Sequence, residues 1–376
     1  MIIGVPKESL SGETRVAILP EEIQRLSSDE LAFRVEMGAG KGSFIADENY
    51  SNSGAEILPD VFPDSDLIVR INPPSEEEVS RFKDGSCLVS LLNPFTNHDL
   101  VRQLAKKNIS SFCLELIPRS TYAQSMDVLS SQATVSGYRA VLNAASHMGK
   151  FFPMLMTPAG TIKPAKVLII GAGVAGLQAI ATASRLGAKI EAFDVRPAAR
   201  EQVESLGAKF LYMELDKSAE TDSGYAVEMD EDFIRKEMEL LHDASKRVDA
   251  IITTALIFGK KAPILIKDYM VKAMHPGSCI VDLAAENGGN CELTRPGEII
   301  NHNGVIIDGT LNLPAQVPFH ASQMLSKNIA KLLTEIIEDG KVKFDMENQV
   351  IKSCLVTHKG EIIHETTKNI IEGESN

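Results

Sequence analysis

Three glycines, the apolar run before them and one aspartate are the residues whose types and spacing most directly imply chemistry. Lys166-Val-Leu-Ile-Ile-Gly171-Ala-Gly173-Val-Ala-Gly176 is a short apolar stretch that enters Gly-x-Gly-x-x-Gly. In that pattern Gly171 makes the tight turn out of a strand, Gly173 leaves room for a pyrophosphate, and Gly176 lets the next helix pack on the sheet. Val174 and Ala175 open that helix, whose unpaired N–H groups and positive dipole end favour phosphate. Asp194 ends the following apolar run, 18 residues after Gly176. A carboxylate there accepts hydrogen bonds from the adenosine ribose hydroxyls and repels a 2′-phosphate, which favours NAD over NADP. Val195 follows it, and Arg196 leaves pairing with a phosphate open.

Other stretches carry weaker signals. Pro118-Arg119-Ser-Thr-Tyr-Ala-Gln124-Ser-Met-Asp127-Val-Leu-Ser130 offers a charge, an amide and a carboxylate from one loop. Spacing alone leaves two readings, a clamp on a ligand or ordinary helix capping by Asp127 or Ser130. Ser223-Gly224-Tyr225 lies in an acidic, irregular stretch and reads as a lid or as a solvated loop. Thr253-Thr-Ala-Leu256 follows a strand end, where ligands bind in open α/β sheets. Asp282 and Glu286 hold the equivalent place one strand later, as site residues or as caps. Arg15 follows the first strand and suits a carboxylate or a surface pair. None of the eight histidines sits in an obvious acid/base motif.

The elements that must position these groups alternate strand and helix. Ile2 to Val5, Phe33 to Met37, Leu67 to Ile71, Cys87 to Leu92 and Ile109 to Leu116 read as strands. Helical patterns lie between them, one opened by Pro20 and another spanning His98 to Lys107. Such alternation predicts a largely parallel sheet. Ser130 to Met148 reads as one long helix, and a Pro-rich loop then leads to the glycine turn. Strands at 189–194, 208–213, 248–254, 278–283 and 304–308 complete a second doubly wound sheet. Ala321 to Glu338 is a second long helix with Ile329, Leu332, Leu333, Ile336 and Ile337 on one stripe. Gln349 to His364 reads as a hairpin turning at Lys359-Gly360, which needs a sheet to dock on. The expected fold is therefore α/β, with two Rossmann-like doubly wound domains. The N-terminal one is discontinuous (1–130 plus 315–376), the cofactor domain spans 131–314, and two long helices join them.

Bulk properties exclude several classes. At 376 residues, 44% hydrophobic and 24% charged, the composition is that of a globular protein. With 51 acidic against 38 basic residues and a net charge of −13, bulk electrostatics disfavour nucleic acid and anionic membranes. Five dispersed cysteines form neither a metal motif nor a disulfide framework, so no metal is expected. No signal peptide or membrane span is expected. The stretch Val167 to Ala183 is short, glycine-rich and carries Gln178.

Across its length the sequence resembles the NAD(H)-binding domain I, or alpha subunit, of proton-translocating nicotinamide nucleotide transhydrogenase. Alanine dehydrogenase is the related enzyme with the same two-domain plan. The resemblance rests on Gly4-Val-Pro-Lys-Glu, Glu13-Thr-Arg-Val-Ala, the Arg119–Ser130 loop, the glycine turn with Asp194-Val-Arg-Pro, and Gly224-Tyr225-Ala. It implies that Arg119, Gln124, Asp127 and Ser130 contact the nicotinamide, that Gly224 and Tyr225 belong to a mobile loop, and that Leu256 lies by the cofactor. Glu237 stands where the family commonly has glutamine near the cofactor. Alanine dehydrogenase binds its substrate with a lysine where this chain has Asn72, and its catalytic histidine falls at Asn93. Neither asparagine takes and returns protons, which amino-acid oxidation requires. The resemblance thus implies a subunit of the Si-specific/Re-specific, proton-pumping transhydrogenase, passing hydride between NAD(H) and NADP(H) bound on a partner domain. It also implies a homodimer, with that NADP(H)-binding domain and a membrane proton-channel domain on other chains. Its place would be peripheral, at the cytoplasmic face of the inner membrane. An alanine-dehydrogenase-like amino-acid dehydrogenase and a non-catalytic NAD-sensing module are the alternatives.

Overall fold

A computed structural model of the protein describes residues 1–212, 231–256 and 261–373. The chain divides into two compact units, Met1–Gln132 with Pro314–Asn376, and Ala133–Leu313. The first boundary falls inside the helix Val128–His147 and the second inside the short turn Leu313–Gln316.

In the first unit the leading strands are β1 (Ile2–Val5), β2 (Ala32–Glu36), β3 (Glu56–Leu58), β4 (Leu67–Val69), β5 (Cys87–Ser90) and β6 (Ser110–Cys113). They pair in parallel in the order β3-β2-β1-β4-β5-β6, so the winding reverses between β1 and β4. β4 is buried on both faces. Leu67 and Val69 feed one apolar cluster and Ile68 the other, which explains a strand without polar alternation.

The second unit begins with a small antiparallel hairpin of β7 (Leu155–Thr157) and β8 (Gly160–Ile162). Its main sheet contains β9 (Lys166–Ile170), β10 (Lys189–Phe193), β11 (Lys209–Phe210), β12 (Ala250–Thr253), β13 (Cys279–Asp282), β14 (Ile299–His302) and β15 (Val305–Asp308). The order is β11-β10-β9-β12-β13-β15-β14, parallel except for the β14/β15 pair. β9 lies at the reversal point. Val167 and Ile169 pack into one cluster and Leu168 and Ile170 into the other, the period of two that a central strand requires.

The chain then re-enters the first unit through the helix Pro318–Ile336. Proline opens it, and Leu325, Ile329, Leu332, Leu333 and Ile336 are buried in the β1 core. Ile337 leaves the helix and starts a two-residue strand, β16 (Ile337–Glu338), paired with β17 (Lys341–Val342). The tail differs from the sequence expectation. Its first half, Gln349–Cys354, is a helix because the Asn348 side chain accepts from the N–H groups of Val350 and Ile351. Only β18 (Leu355–His358) and β19 (Glu361–Ile362) form the hairpin, with Lys359 and Gly360 at positive φ. It docks as expected on a sheet, antiparallel to β6. In the second unit, the expected strand over 208–213 is only Lys209–Phe210 among the described residues.

Candidate functional site

The glycine turn follows β9 at the centre of the second unit. Gly171 has φ +96°, the left-handed region, and a Cβ there would lie 2.5 Å from Thr254 Oγ1. A Cβ at Gly176 would lie 1.9 Å from the Gly171 carbonyl oxygen, so helix and strand leave no space for a side chain. Gly173 is the opposite case: nothing lies within 4 Å of its added Cβ. It caps the helix Val174–Arg185 without any side-chain acceptor for the first N–H groups. Open space before unsatisfied amides at a helix start suits a pyrophosphate. Gly137, which the sequence reading missed, seats the long helix on this turn: a Cβ there would lie 2.1 Å from the Ala175 carbonyl oxygen. A lone glycine inside an alanine-rich helix was the available signal.

Asp194 closes β10 beside the turn. Its Oδ2 accepts from the Ala172 N–H at 2.7 Å and from Arg196 Nη2 at 3.0 Å. Oδ1 accepts from the Arg196 N–H at 2.8 Å and from Nε at 3.0 Å. Burial pushes the carboxyl up, but the Arg196 guanidinium and the N–H groups of Ala172 and Arg196 outweigh it and hold it below the usual carboxylate range. The aspartate is ionised at neutral pH and fixed to the turn that would carry the phosphates. The residues present therefore fit a dinucleotide, with Gly173 and the helix start for pyrophosphate and Asp194 for ribose. Val174, Val195 and Leu256 stand exposed beyond the ends of the neighbouring strands β9, β10 and β12, apolar surface of the kind an adenine ring covers.

Behind this edge is a polar scaffold that the sequence only hinted at. Thr254 donates to the Gly171 carbonyl oxygen, tying β12 to the turn. Asn290, fully buried, accepts from the Ala255 N–H and donates to the carbonyls of Ala255 and Pro263. Asp282 accepts five hydrogen bonds, from Thr253, Ala284, Asn290, Cys291 and Thr294. With 1% exposure it braces the loop from inside and has no lone pair left for a ligand. Glu286 is exposed and accepts from the Asn312 N–H. Glu237 is buried on the helix Glu231–Ser245. Its Oε1 has no hydrogen-bond partner among the described residues, and burial pushes the carboxyl up. Gly224 and Tyr225 lie outside the described residues.

In the first unit the Arg119–Ser130 loop is pinned from below. Ala123 and Met126 are fully buried, Tyr122 donates to Glu335, and Asn328 donates to the Ser125 carbonyl. Arg119 and Gln124 are exposed, and neither side chain has a partner among the described residues. Asp127 accepts from both the N–H and the hydroxyl of Ser130, at 2.9 and 2.7 Å, and so caps the helix Val128–His147. The structure thus groups two free polar side chains on a fixed support, with Asp127 and Ser130 forming part of that support.

The C-terminal ends of β1 and β4 hold an ion cluster that sequence spacing could not assemble. Arg15 is neither a surface pair nor open to a carboxylate. It is buried, donating to Glu13 from Nε and Nη2 and to Gln132 from Nη1. Asn72 donates from Nδ2 to Glu8 and to Glu13, each at 3.0 Å. Arg70, also buried, pairs with Glu78 at 2.8 Å and Glu8 at 3.6 Å. Burial pushes Glu13 up, yet its bonds to Arg15 and Asn72 prevail and bring it to about 2. Glu8 is raised, because burial outweighs Arg70, Ile71 and Asn72. Asn93 is exposed at φ +51°, its N–H bonded to Glu115.

A doubly wound parallel sheet with a glycine turn at its reversal point and an acid ending the second strand defines a dinucleotide-binding α/β protein. Two family profiles cover nearly the whole chain: "Alanine dehydrogenase/PNT, N-terminal domain" matches residues 4–136 and "Alanine dehydrogenase/PNT, C-terminal domain" residues 140–365. The chain belongs to the alanine dehydrogenase/PNT family. It is 44% identical to the first of the NAD(P) transhydrogenase alpha-subunit chains of Rhodospirillum rubrum, over 97% of this chain and 98% of that one. A solved transhydrogenase structure from Sinorhizobium meliloti superposes with a TM-score of 0.86 at 38% identity, covering 97% and 100%. The alanine dehydrogenase of Bacillus subtilis is more distant, 29% identical over 97% of this chain and 93% of that one.

Proposed function

We propose that the protein is the NAD(H)-binding subunit of a proton-translocating NAD(P) transhydrogenase of the Si-specific/Re-specific type. It passes hydride between NAD(H) held here and NADP(H) held on a partner domain. The observation that carries this reading is the closed ion cluster around Arg15 and Asn72. Alanine dehydrogenase must hold an amino-acid carboxylate and exchange a proton. Here the guanidinium of Arg15 is committed to Glu13 and Gln132, the Asn72 amide to Glu8 and Glu13, and neither Asn72 nor Asn93 is a base.

Hydride exchange between two nicotinamides needs no acid or base. It needs two rings held with reacting carbons within roughly 3–3.5 Å. Bound NADH supplies the hydride. This chain's residues bind and orient: the amides at Gly173 and the helix start take the pyrophosphate, and Asp194 takes the ribose. Arg119 and Gln124 orient the nicotinamide, and the Asp127–Ser130 cap holds their loop. Gly224 and Tyr225 are assigned to a loop that closes on the nucleotide, and Glu237 to a place near it.

The NADP(H)-binding domain and a membrane proton-channel domain are assigned to other chains. Among the described residues no helix is long and apolar enough to cross a membrane, which fits a peripheral subunit at the cytoplasmic face of the inner membrane. A homodimer is supported by the β7/β8 hairpin, which among the described residues joins no other sheet and leaves Phe151, Met154, Met156 and Ile162 exposed. Incubation of the isolated chain with L-alanine and NAD tests the proposal against its nearest rival. No NADH forms under this reading; alanine-dependent NADH formation would return the protein to the amino-acid dehydrogenases.

A further inference from the structure

The ribose-binding carboxylate is fully occupied by the protein itself. A carboxylate offers about four lone-pair positions. Asp194 receives four donors: the N–H groups of Ala172 and Arg196 and the Nε and Nη2 of the Arg196 guanidinium. The two backbone donors belong to the turn and stay. The two side-chain donors sit on a guanidinium that is 61% exposed, over a carboxylate that is 6% exposed. Two hydroxyls of a ribose would need the same two positions that the guanidinium fills.

We infer that Arg196 is a specificity guard, an internal competitor that a nucleotide must displace from Asp194 and that only a ligand with two free ribose hydroxyls replaces bond for bond. The inference rests on the assignment of Asp194 to the ribose. A nucleotide with an intact 2′,3′-diol returns two donors to the carboxylate when the guanidinium swings into solvent. A 2′-phosphorylated nucleotide returns one donor and sets a second anion beside Asp194, so displacement leaves a net loss. Arg196 beside a nucleotide site invites the opposite reading, that it attracts the phosphate of NADP. The fork geometry opposes this, because both of its inner N–H groups are already spent on Asp194.

The two readings predict opposite signs. Binding of NADH and NADPH to the full chain is measured by calorimetry for wild type, Arg196→Ala and Arg196→Lys. Removing the competitor should tighten NADH binding about three- to fivefold, the scale of an exposed ion pair. It should also widen the preference for NADH over NADPH, since the exposed carboxylate then repels the 2′-phosphate unopposed. The lysine variant, which keeps the charge but loses the fork, should fall between. Unchanged or weaker NADH binding in Arg196→Ala would overturn the guard, as would tighter NADPH binding. Absence of NADH binding in the wild type would instead overturn the nucleotide site itself, so the two failures are distinguishable.

Discussion

At position 173 an added methyl group would meet no protein atom within 4 Å, whereas at position 176 it would lie 1.9 Å from the Gly171 carbonyl oxygen. The first glycine serves the ligand and the second serves the fold. Gly173→Ala should therefore keep its melting temperature within a few degrees of wild type, as an N-cap change costs about 1 kcal/mol or less. Its NADH affinity should fall at least tenfold, since the methyl occupies the phosphate approach. Gly176→Ala should lose about 1–3 kcal/mol of stability by overpacking as well as binding. Thermal melts and NADH titrations of the two variants separate these outcomes, and equal effects would refute the division of roles. Arg119 and Gln124 are exposed on a pinned loop, so alanine at either should leave stability unchanged. Each should slow hydride transfer more than it weakens NADH binding. Unaltered transfer in both would remove the loop from the mechanism. These residues were legible in the sequence because glycine spacing and a strand-end acid have mechanical causes. The guanidinium covering Asp194 was not, because a side-chain direction has no periodicity.

Among the elements, the strand ends of the first unit decide what the site does not do. Glu13 lies against Arg15 and Asn72 with its carboxyl depressed to about 2. A depressed carboxyl contributes stability that is present above its unfolded value near 4.5 and is lost as pH falls toward 2. Glu13→Gln should thus flatten the acid limb of the urea-unfolding stability curve between those values, by up to about 3 kcal/mol. An acid limb as steep as that of wild type would place the acid sensitivity elsewhere. Asp282 is the corresponding brace in the second unit. Asp282→Ala leaves five donors short of an acceptor and should cost about 3 kcal/mol or more in the same measurement. No sequence spacing brings Glu8, Glu13, Arg15, Arg70 and Asn72 together, since strand order rather than chain order makes them neighbours. The tail shows the reverse limit. Gln349 to Cys354 carries residues acceptable in either a strand or a helix, and one cap, Asn348, decides for helix. The long stripe of Pro318–Ile336, with its 3.6-residue period over several turns, left no such ambiguity.

For the whole molecule, the glycine turn, the acid beside it and the closed cluster in the other unit describe a protein that holds one nucleotide and leaves its reaction partner to another chain. Assembly should follow the exposed hairpin. Met156, 74% exposed, replaced by glutamate should convert a dimer to a monomer in light scattering, and an unchanged mass would free the hairpin of that role. The central claim is direct ring-to-ring transfer without a protein acid or base. It is tested by mixing the chain with an NADP(H)-binding partner domain, NADH deuterated at the transferring C4 position, and an NADP analogue. Mass spectrometry then reads the label. Full retention of deuterium in the reduced analogue, dependent on both proteins, is the predicted result. Loss of the label to solvent, or no transfer with both proteins folded and loaded, would contradict the account.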